Sequence, residues 1–560
     1  MTYKVRIQLI KFVFAIIKIV LWLLLYAAMA SAIVGLNSDF GQFNMEFPLV
    51  VLTALPLYYG LKGKIKVPSF FSVLPFLLFY AFFDYFFWSM GRVFQWIDVG
   101  ELTEVLDIFS ISTSFFLFIG VLFLGLLLFK VFKRVSSLLL ISSTLPIMII
   151  VMWSQILPQK FVTTFKKISY KVQVVDQAGN VMDNGRLMLS IYLDSKRKNS
   201  QSRFLTNPGW LEQDIGQIQT ALSQIEARNL HILVMESFLD PTLFPELNLP
   251  SDYLTPWMQE LQNYRNLSLS PIYSGGTAQA EFEILCGVPA KSLVGTIEFN
   301  SFVGTPTSCL ANWFNSVGYR TVAQNAYKPS FFNQVKGYKG IGFKDIHFPK
   351  NYVKLSDSHL EASFTKTSGK YMYDGDFFDQ ATQYYLNTRQ EGQGGLNYMI
   401  GVYGHHDFHI DPDRFTQVVD LKDTKFEKIQ NIVNQYYYRT RVIEKSVKAI
   451  VKDDPNAMIL VVSDHLPRGP GGKNYYLSNG YPDIYTNVYY IWDRGVPIKV
   501  QEEINHYDLV WKLLALMMSG QCKDDKCLPE LESDRYKQVM AHAMRLDGPD
   551  IGENINVAKH

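Results

Sequence analysis

Five long apolar segments in the first 157 residues constrain the fold more than any other feature of the chain. The first is uncharged over residues 19–36 and, with its flanks, reaches the roughly 20 residues that a membrane helix needs. It is too long for a cleavable signal peptide, and further apolar segments follow it. These cover residues 47–61, 67–90, 108–129 and 138–157. The sequence therefore predicts a transmembrane domain of five helices over residues 1–157.

Charged residues between these segments predict the orientation of the domain. Acidic residues occupy two of the gaps, and basic residues occupy the alternate ones: Lys4, Arg6, Lys11, Lys62, Lys64, Lys66, Lys130, Lys133 and Arg134. Because positively charged loops stay in the cytoplasm, the N-terminus is predicted to be cytoplasmic. Five crossings then place everything after about residue 157 outside the membrane.

Two features near the membrane have alternative interpretations. Asp84 lies in the third apolar segment, where a carboxylate is by default a hypothesis of function. We expect instead that it is hydrated near the outer interface, beside Tyr85 and Trp88. Residues 158–227 are predicted to be a juxtamembrane linker with helices, in which residues 161–174 form either an amphipathic helix along the lipid headgroups or an ordinary basic linker.

The rest of the chain has the pattern of a separate α/β domain. A chain of 560 residues is too long for one compact domain. From residue 228 to about 520, short apolar strands alternate with longer helical stretches, which predicts a mostly parallel sheet covered by helices on both faces. Residues 521–560 are predicted to be a C-terminal extension. The formal charge of +2 argues against nucleic acid as a partner, since that calls for a concentrated basic face.

Three of the predicted strands end in side chains that bind metals. Glu236 follows one strand, Asp464 and His465 follow another, and Thr277 follows a third after a Gly-Gly bend. Because the carboxyl ends of parallel strands meet at one edge of a sheet, these residues are expected to lie together. The sequence therefore predicts a metal site at that edge.

The types of these residues indicate phosphate chemistry. A divalent metal bound by Glu236, Asp464 and His465 has a mixed oxygen and nitrogen shell, which suits zinc or manganese. Thr277 supplies the last ligand, and coordination lowers the pKa of its hydroxyl, which makes it a nucleophile. Its place at a helix N-terminus favours a phosphate. Each residue also has a structural explanation, as a helix cap or a polar loop, but the coincidence of three strand ends favours a site.

Four cysteines, Cys286, Cys309, Cys522 and Cys527, follow the last apolar segment. An even number of cysteines in an exported domain indicates disulfides. Of the three possible pairings, we favour the local one, which joins 286 to 309 and 522 to 527.

The order of the motifs resembles the membrane-anchored branch of the alkaline phosphatase and sulfatase superfamily. Two motifs are similar to lipoteichoic acid synthases: Val234-Met-Glu236-Ser-Phe and Thr277-Ala-Gln-Ala-Glu-Phe282. Three others are similar to the phosphoglycerol transferases that modify periplasmic glucans: Cys286-Gly-Val-Pro289, Gln324-Asn-Ala326 and Ser463-Asp-His-Leu466. The resemblance implies an α/β/α sandwich of the alkaline phosphatase/sulfatase type after the five-helix membrane domain.

The resemblance also implies roles for individual residues. Glu236, Thr277, Asp464 and His465 would hold one divalent metal, manganese or zinc, with Thr277 the residue that becomes phosphorylated.

Residues that contact substrate are implied as well. His405, and after it His406, would contact the phosphate-bearing substrate. Gln324 and Gln334 stand where lipoteichoic acid synthases have a His and a Trp-Asn-Arg run beside the glycerol site, so both are candidate substrate contacts and the headgroup is open. The acids of Tyr373-Asp-Gly-Asp376 match a turn of the family and are predicted to be helix caps.

The implied function is transfer of phosphoglycerol from a membrane phospholipid, phosphatidylglycerol first, to a hydroxyl of a cell-envelope glycan or polymer. The protein would lie in the cytoplasmic membrane of a bacterium, with its catalytic domain in the periplasm or extracellular space. A phosphoethanolamine transferase is the first alternative, and a phosphodiesterase or a non-catalytic lipid-binding regulator is the second. A true sulfatase is disfavoured, because neither Cys286-Gly-Val-Pro289 nor Cys527-Leu-Pro-Glu530 has the required C/S-x-P-x-R setting.

Overall fold

The computed structural model describes most of the chain. The described residues are 3–34, 46–90, 93–94, 96, 99, 111–168, 181, 183–204, 219–220, 222–290, 309–329, 331, 334–353, 361–366, 371–405, 408, 410–422, 424–470 and 474–518. They form two compact units, residues 1–202 and 203–560.

The first unit is helical. Its helices are α1 Tyr3–Val34, α2 Phe47–Leu61, α3 Pro68–Met90, α4 Ile111–Phe132, α5 Ser137–Ile156, α6 Pro158–Ile168 and α7 Arg186–Phe204. In the described part, three helical segments are long and apolar enough to cross a membrane: Val5–Ala30, Pro68–Phe87 and Ser137–Ile156. Two shorter apolar segments are Phe47–Leu61 and Leu122–Phe132. Membrane-spanning helices are thus present by length and composition, while the count of five crossings stays a prediction.

The expectation that Asp84 is hydrated is wrong. Its side chain is 2% exposed and forms a two-pronged ion pair with Arg186, at 2.6 Å from Nε to Oδ1 and 2.8 Å from Nη2 to Oδ2. The hydroxyl of Tyr26 also donates to Oδ2, at 2.6 Å. A buried carboxylate needs such partners, because burying an unpaired charge is far more costly than leaving it in water.

Helix α6 covers the first part of the segment predicted over residues 161–174, and residues 169–174 lie outside the described residues. Its apolar residues Phe161, Val162 and Phe165 are buried inside the first unit, and Phe165 stacks on Tyr192 with 4.3 Å between ring centroids. The helix is therefore amphipathic, but its apolar face packs against protein. Ile168, at its end, is exposed.

The second unit contains one mixed sheet with helices on both faces, which confirms the predicted α/β class. Its strands are β1 Asn229–Met235, β2 Asn266–Leu269, β3 Arg320–Asn325, β4 Asp345–Pro349, β5 Glu361–Phe364, β6 Gly395–Gly401, β7 Met458–Ser463, β8 Thr486–Asp493, β9 Val496–Ile498 and β10 Ile504–Asn505. Its helices are α8 Pro256–Leu261, α9 Thr277–Cys286, α10 Leu310–Ser316, α11 Gln334–Ile341, α12 Asp374–Thr388, α13 Gln430–Asp453, α14 Asn474–Ser478 and α15 His506–Met518.

The sheet order brings the site strands to the centre. The order is β10-β2-β8-β7-β1-β6-β3-β4-β5, with β9 paired to β8. Strand β1 pairs in parallel with both β6 and β7, whereas β8 runs antiparallel to β7 and to β2. Two reversals restore the direction, so β2 ends at the same edge as β1 and β7. Although β2 runs in the same direction as β7, the antiparallel strand β8 lies between them.

Alternation along β1 divides the core into two layers. Leu230, Ile232 and Val234 face a cluster that includes α9, α10 and α15. Leu233 and Met235 face a second cluster that includes α12 and α13. Because both faces are buried, the strand is apolar at nearly every position, as is usual in parallel sheets.

Candidate active site

The central strands place Glu236 and Asp464 side by side. In the parallel pairing of β1 with β7, Met235 lies opposite Ser463, so the next residue of each strand is one of the two carboxylates. The backbone N–H of Ser237 donates to Asp464 Oδ1 at 2.7 Å. Ser237 has a positive φ of 50°, which turns the chain sharply after the strand. Both carboxylates are buried.

His465 adds a nitrogen ligand to this pair. Its Nδ1–H donates to the carbonyl of Leu466 at 3.0 Å, so the lone pair of Nε2 is available. Nε2 lies 3.3 Å from Asp464 Oδ2 and 3.5 Å from Glu236 Oε1. A ring nitrogen held by a backbone carbonyl in this way is the usual arrangement of a metal-binding histidine.

A strained turn presents Thr277. Ser274, Gly275 and Gly276 have φ values of 61°, 122° and 89°, so three successive residues adopt left-handed backbone before α9 begins. The hydroxyl of Thr277 donates to Glu236 Oε2 at 3.1 Å and lies 3.4 Å from His465 Nε2. The four residues that the sequence predicts as ligands are therefore together.

The donor set fits a divalent metal. Ligand atoms of Glu236, Asp464 and His465 all lie within 4.8 Å of one another. Asp464 Oδ2 is buried and accepts no hydrogen bond from the described residues. An unsatisfied carboxylate oxygen is costly in a protein interior, and a cation between these groups would satisfy it. Two carboxylates and one imidazole suit zinc or manganese.

The pKa shifts of Asp464, His465 and Glu236 show the same demand for positive charge. Burial and the neighbouring Glu236 raise the pKa of Asp464 to about 7. Burial also opposes charge on His465, but Asp464 and Glu236 outweigh it and raise the pKa of the imidazole. For Glu236, burial is outweighed by His465, His405 and a hydrogen bond from Ser237, which lower the pKa of its carboxyl.

A cavity that opens to solvent adjoins this centre. Its lining comprises Glu236, Thr277, Ala278, Glu281, Tyr327, Phe331, Gln334, Tyr371, Ile400, Val402 and His405. His405 and Gln334, which were predicted to contact substrate, are thus in the wall. His406 lies outside the described residues.

Gln324 is not part of the cavity wall. Its side chain is fully buried, and its amide donates to the carbonyl of Ala381 at 3.0 Å and to Asn397 at 2.7 Å. Position 324 lies within β3, where the amide joins strands in the interior. We therefore do not retain Gln324 as a substrate contact.

Arg439, which was not predicted from the sequence, supports the site from α13. Its guanidinium donates to Asp374 at 2.6 Å and to the backbone carbonyl of Glu236 at 2.8 Å, and it is almost fully buried. A Cβ at Gly404 would lie 2.0 Å from that same carbonyl, so only glycine fits beside it and before His405. Asp374, predicted to be a cap, is therefore a charge partner.

The other acid of that turn also has a charge partner. Asp376 pairs with Arg414 at 2.7 Å and 3.0 Å. In hindsight the sequence holds a signal for Arg439: it follows Tyr436 by three residues and precedes Ile443 by four, so it shares the buried face of α13.

A disulfide lies at the C-terminal end of α9. Cys286 bonds to Cys309, as predicted. Gly287 ends the helix with a φ of 65°, and a Cβ there would lie 2.5 Å from Trp511. Cys522 and Cys527 lie outside the described residues.

Comparison with known proteins decides the family. The model of the sulfatase family matches residues 228–519, which is a little over half of the chain. The chain belongs to the sulfatase family. A putative cyclic β-1,2-glucan modification protein of Rhizobium meliloti is 26% identical over 255 residues, covering 45% of this chain; the chain spans only 37% of that relative's length.

The solved structures that resemble this domain have lower sequence identity to it than the Rhizobium meliloti protein has. The lipoteichoic acid synthase LtaP of Listeria monocytogenes is 18% identical with a TM-score of 0.42, and the match covers 53% of this chain and 74% of that one. The phosphoglycerol transferase GacH of Streptococcus pyogenes, in complex with sn-glycerol-1-phosphate, is 14% identical with a TM-score of 0.44, covering 62% and 93%.

Proposed function

We propose that this protein is a metal-dependent phosphotransferase that moves the headgroup of a membrane phospholipid, phosphoglycerol first, through a phosphothreonine at Thr277 to a hydroxyl of a cell-envelope glycan or polymer. The observation that carries the proposal is the hydroxyl of Thr277, which lies at a helix N-terminus and 3.1 Å from a carboxylate of the metal-binding cluster. Backbone N–H groups and the helix dipole at that end favour a phosphate.

The chain's own residues account for a double displacement. Thr277 Oγ1 bonds to the phosphorus of the lipid while the bond from phosphorus to the diacylglycerol oxygen breaks, and the proton of Thr277 ends on that oxygen. An acceptor hydroxyl then bonds to phosphorus, the bond to Thr277 breaks, and the acceptor's proton returns to the threonine. His405, in the cavity wall, binds the phosphate-bearing substrate. A metal held by Glu236, Asp464 and His465 would supply Lewis acidity against the charge of the transferring group.

The choice of partners follows from the membrane unit and from the curated relative. A phospholipid donor explains why an α/β enzyme is joined to apolar helices. We infer five crossings of a bacterial cytoplasmic membrane and a catalytic unit on its outer side. A glycan acceptor is favoured because the relative from Rhizobium meliloti is described as a putative modifier of cyclic glucan.

The test is intact-mass spectrometry of the full-length protein after incubation with mixed phospholipids and manganese or zinc, followed by peptide mapping. We expect an adduct with the mass of phosphoglycerol on the peptide that contains Thr277, together with released diacylglycerol. Thr277→Ala should lose both, whereas Thr424→Ala, at an exposed threonine elsewhere in the unit, should retain them.

Other outcomes separate the alternatives. A phosphoethanolamine adduct would retain the mechanism and change the headgroup. Free glycerol phosphate without modified glycan would indicate a phosphodiesterase. Neither adduct nor diacylglycerol with either metal would refute the transferase and favour a lipid-binding protein.

A further inference from the structure

Two lysines lie beside the cavity, and the mechanism above gives them no role. Lys328 follows Tyr327, which lines the cavity, and its Nζ lies 5.5 Å from the centroid of the Tyr327 ring. Lys366 comes two residues after the end of β5, and its Nζ lies 5.1 Å from the centroid of the Tyr352 ring. The electron-rich face of each ring attracts the ammonium group above it.

The two tyrosines belong to one aromatic cluster. The rings of Tyr327 and Tyr352 pack edge to face with 5.4 Å between their centroids, and Tyr371 packs on Tyr327 with the same separation. Tyr371 also lines the cavity. These three rings, which we call the tyrosine rim, therefore continue the cavity wall and carry both ammonium groups.

Side-chain amides fix the backbone that carries Lys366. The N–H of Thr365 donates to Gln380 Oε1 at 2.9 Å, and Gln380 Nε2 donates to the carbonyl of Thr365 at 3.2 Å. The N–H of Lys366 donates to Oδ1 of Asn351, the residue before Tyr352, at 2.8 Å. A backbone fixed in this way loses less entropy when its side chain binds a ligand.

The two ammonium groups are close enough to repel each other. Both side chains are half-buried, and burial together with the positive charge of Lys328 lowers the pKa of Lys366. A ring face attracts each ammonium group but does not offset the repulsion between the two. An anion bound by both groups would offset it and would accept a charge-assisted hydrogen bond from each.

The position of the lysines indicates that this anion is not the reacting phosphate. Among the described residues, Thr277, Tyr327 and Tyr371 line the cavity, and neither lysine does. The reacting phosphate belongs at Thr277 and the metal-binding cluster, on the cavity side of the tyrosine rim. A phospholipid with a single phosphate has no second anion to offer, so the anion at the rim belongs to the acceptor.

We propose that Lys328 and Lys366 form an anion site on the tyrosine rim, which binds a phosphodiester that the acceptor already carries. This inference rests on the proposed function and deepens it, because it makes an acceptor that is already modified the preferred substrate. The three rings offer an apolar surface to the sugar or glycerol unit beside that phosphodiester, as aromatic side chains do in most sites for organic ligands.

The test compares two acceptors that differ in charge. The full-length protein with manganese and phosphatidylglycerol is given a neutral cyclic β-1,2-glucan or the same glucan with phosphoglycerol substituents, and transfer to the glucan is measured at low and at high salt. We expect kcat/KM to be about tenfold higher for the charged glucan at low salt, mainly through a lower KM. This preference should shrink at high salt, because salt screens half-buried charges.

Variants of the two lysines should remove the preference. Lys328→Gln combined with Lys366→Gln should lower kcat/KM for the charged glucan to about the value for the neutral one. Lys366→Arg keeps the positive charge and should keep the preference. Lys452→Gln, at an exposed lysine elsewhere in the unit, is the matched control and should also keep it. If the double variant does not fold, Lys366→Gln alone decides, with an expected loss of about threefold.

The outcomes distinguish this proposal from the one on which it rests. Equal kcat/KM for the two glucans, or a double variant that keeps the preference, overturns the anion site while the transferase stands. A double variant that slows diacylglycerol release without any acceptor also overturns it, because the lysines would then act on the donor. If no lipid yields diacylglycerol, the proposed function fails, and calorimetric titration of both glucans into the same protein still tests the site. Tighter binding of the charged glucan that the double variant loses supports the site, and equal binding overturns it.

Discussion

Replacement of Arg439 by methionine tests how the site is held in place. The methionine side chain is about as long and as apolar as the stem of Arg439. It cannot form the ion pair with Asp374 or the hydrogen bond to the carbonyl of Glu236. The side chains of the pair are only 2% and 0% exposed, so Asp374 would remain charged in the interior without its cation. Removing one partner of such a buried pair costs about 3–5 kcal/mol.

This magnitude predicts a large change in melting temperature. At roughly 2–4 °C per kcal/mol for a domain of this size class, Arg439→Met should melt on the order of 10 °C lower. The affinity for manganese should also fall about 10–100-fold, since the carbonyl of a ligand residue loses its support. The measurements are thermal unfolding of the full-length protein in detergent and metal titration below the unfolding transition.

Two further variants test the role of the buried ion pair between Arg439 and Asp374. Asp374→Asn combined with Arg439→Met removes the stranded charge, so it should melt above Arg439→Met alone. Arg441→Met is the matched control on the same helix, because among the described residues Arg441 donates only to the backbone carbonyls of Tyr253 and Tyr437 and otherwise stacks on the Tyr437 ring. If Arg439→Met melted like that control, or if the double variant were no more stable than the single one, the buried pair would not have the assigned role.

Three other predictions concern separate parts of the chain. Reduction of the bond between Cys286 and Cys309, which closes a loop with a sequence separation of 23, should cost about 3 kcal/mol and lower the melting temperature of the second unit; no shift under reductant would contradict this. Because burial and Glu236 raise the pKa of Asp464 to about 7 in the metal-free protein, a metal must displace its proton, so log Kd for manganese should fall by at least about one per pH unit below pH 7. The same raised pKa makes the metal-free protein lose stability as the pH rises from about 4 to 7, and Asp464→Asn should reduce this slope; the part from Glu281, whose pKa burial raises to about 8, should remain. In the first unit, Asp84→Ala should destabilise strongly, and a double change with Arg186→Met should recover part of the loss; additive losses would argue against the ion pair.

Much of the fold follows from local pattern. Runs such as residues 230–235 are apolar at successive positions because both sides of the strand are buried. The apolar segments near the N-terminus are recognisable because lipid requires long uncharged helices. Sheet order was not predictable in this way. Strand β2 ends at Leu269, and the hydroxyl of the next residue, Ser270, donates to the backbone carbonyl of Asp464 at 2.7 Å. That contact spans 194 residues.

The candidate site, like the fold, could be predicted from the sequence only in part. Ligand types are visible in sequence because a strand end followed by Glu, Asp-His or Gly-Gly-Thr is unusual, and the structure brings those residues together. Substrate contacts are less visible. Gln324 and Gln334 were equally plausible by position, yet one is in the interior of the sheet and the other is in the cavity wall.

The sequence by itself determined which segments are apolar helices, that an alternating α/β unit follows them, and which residues are the candidates for binding a metal and attacking phosphorus. These properties depend on residue type and on short spacing in the sequence, so they can be predicted without knowing which distant residues each side chain contacts. Only the tertiary structure decided that Arg439 supports Glu236, that Asp84 is paired, and that Gln324 is buried in the sheet while Gln334 lines the cavity. Each of these depends on contacts between residues far apart in the chain, where the low dielectric of the interior makes a partner obligatory and the sequence does not say which residue it is.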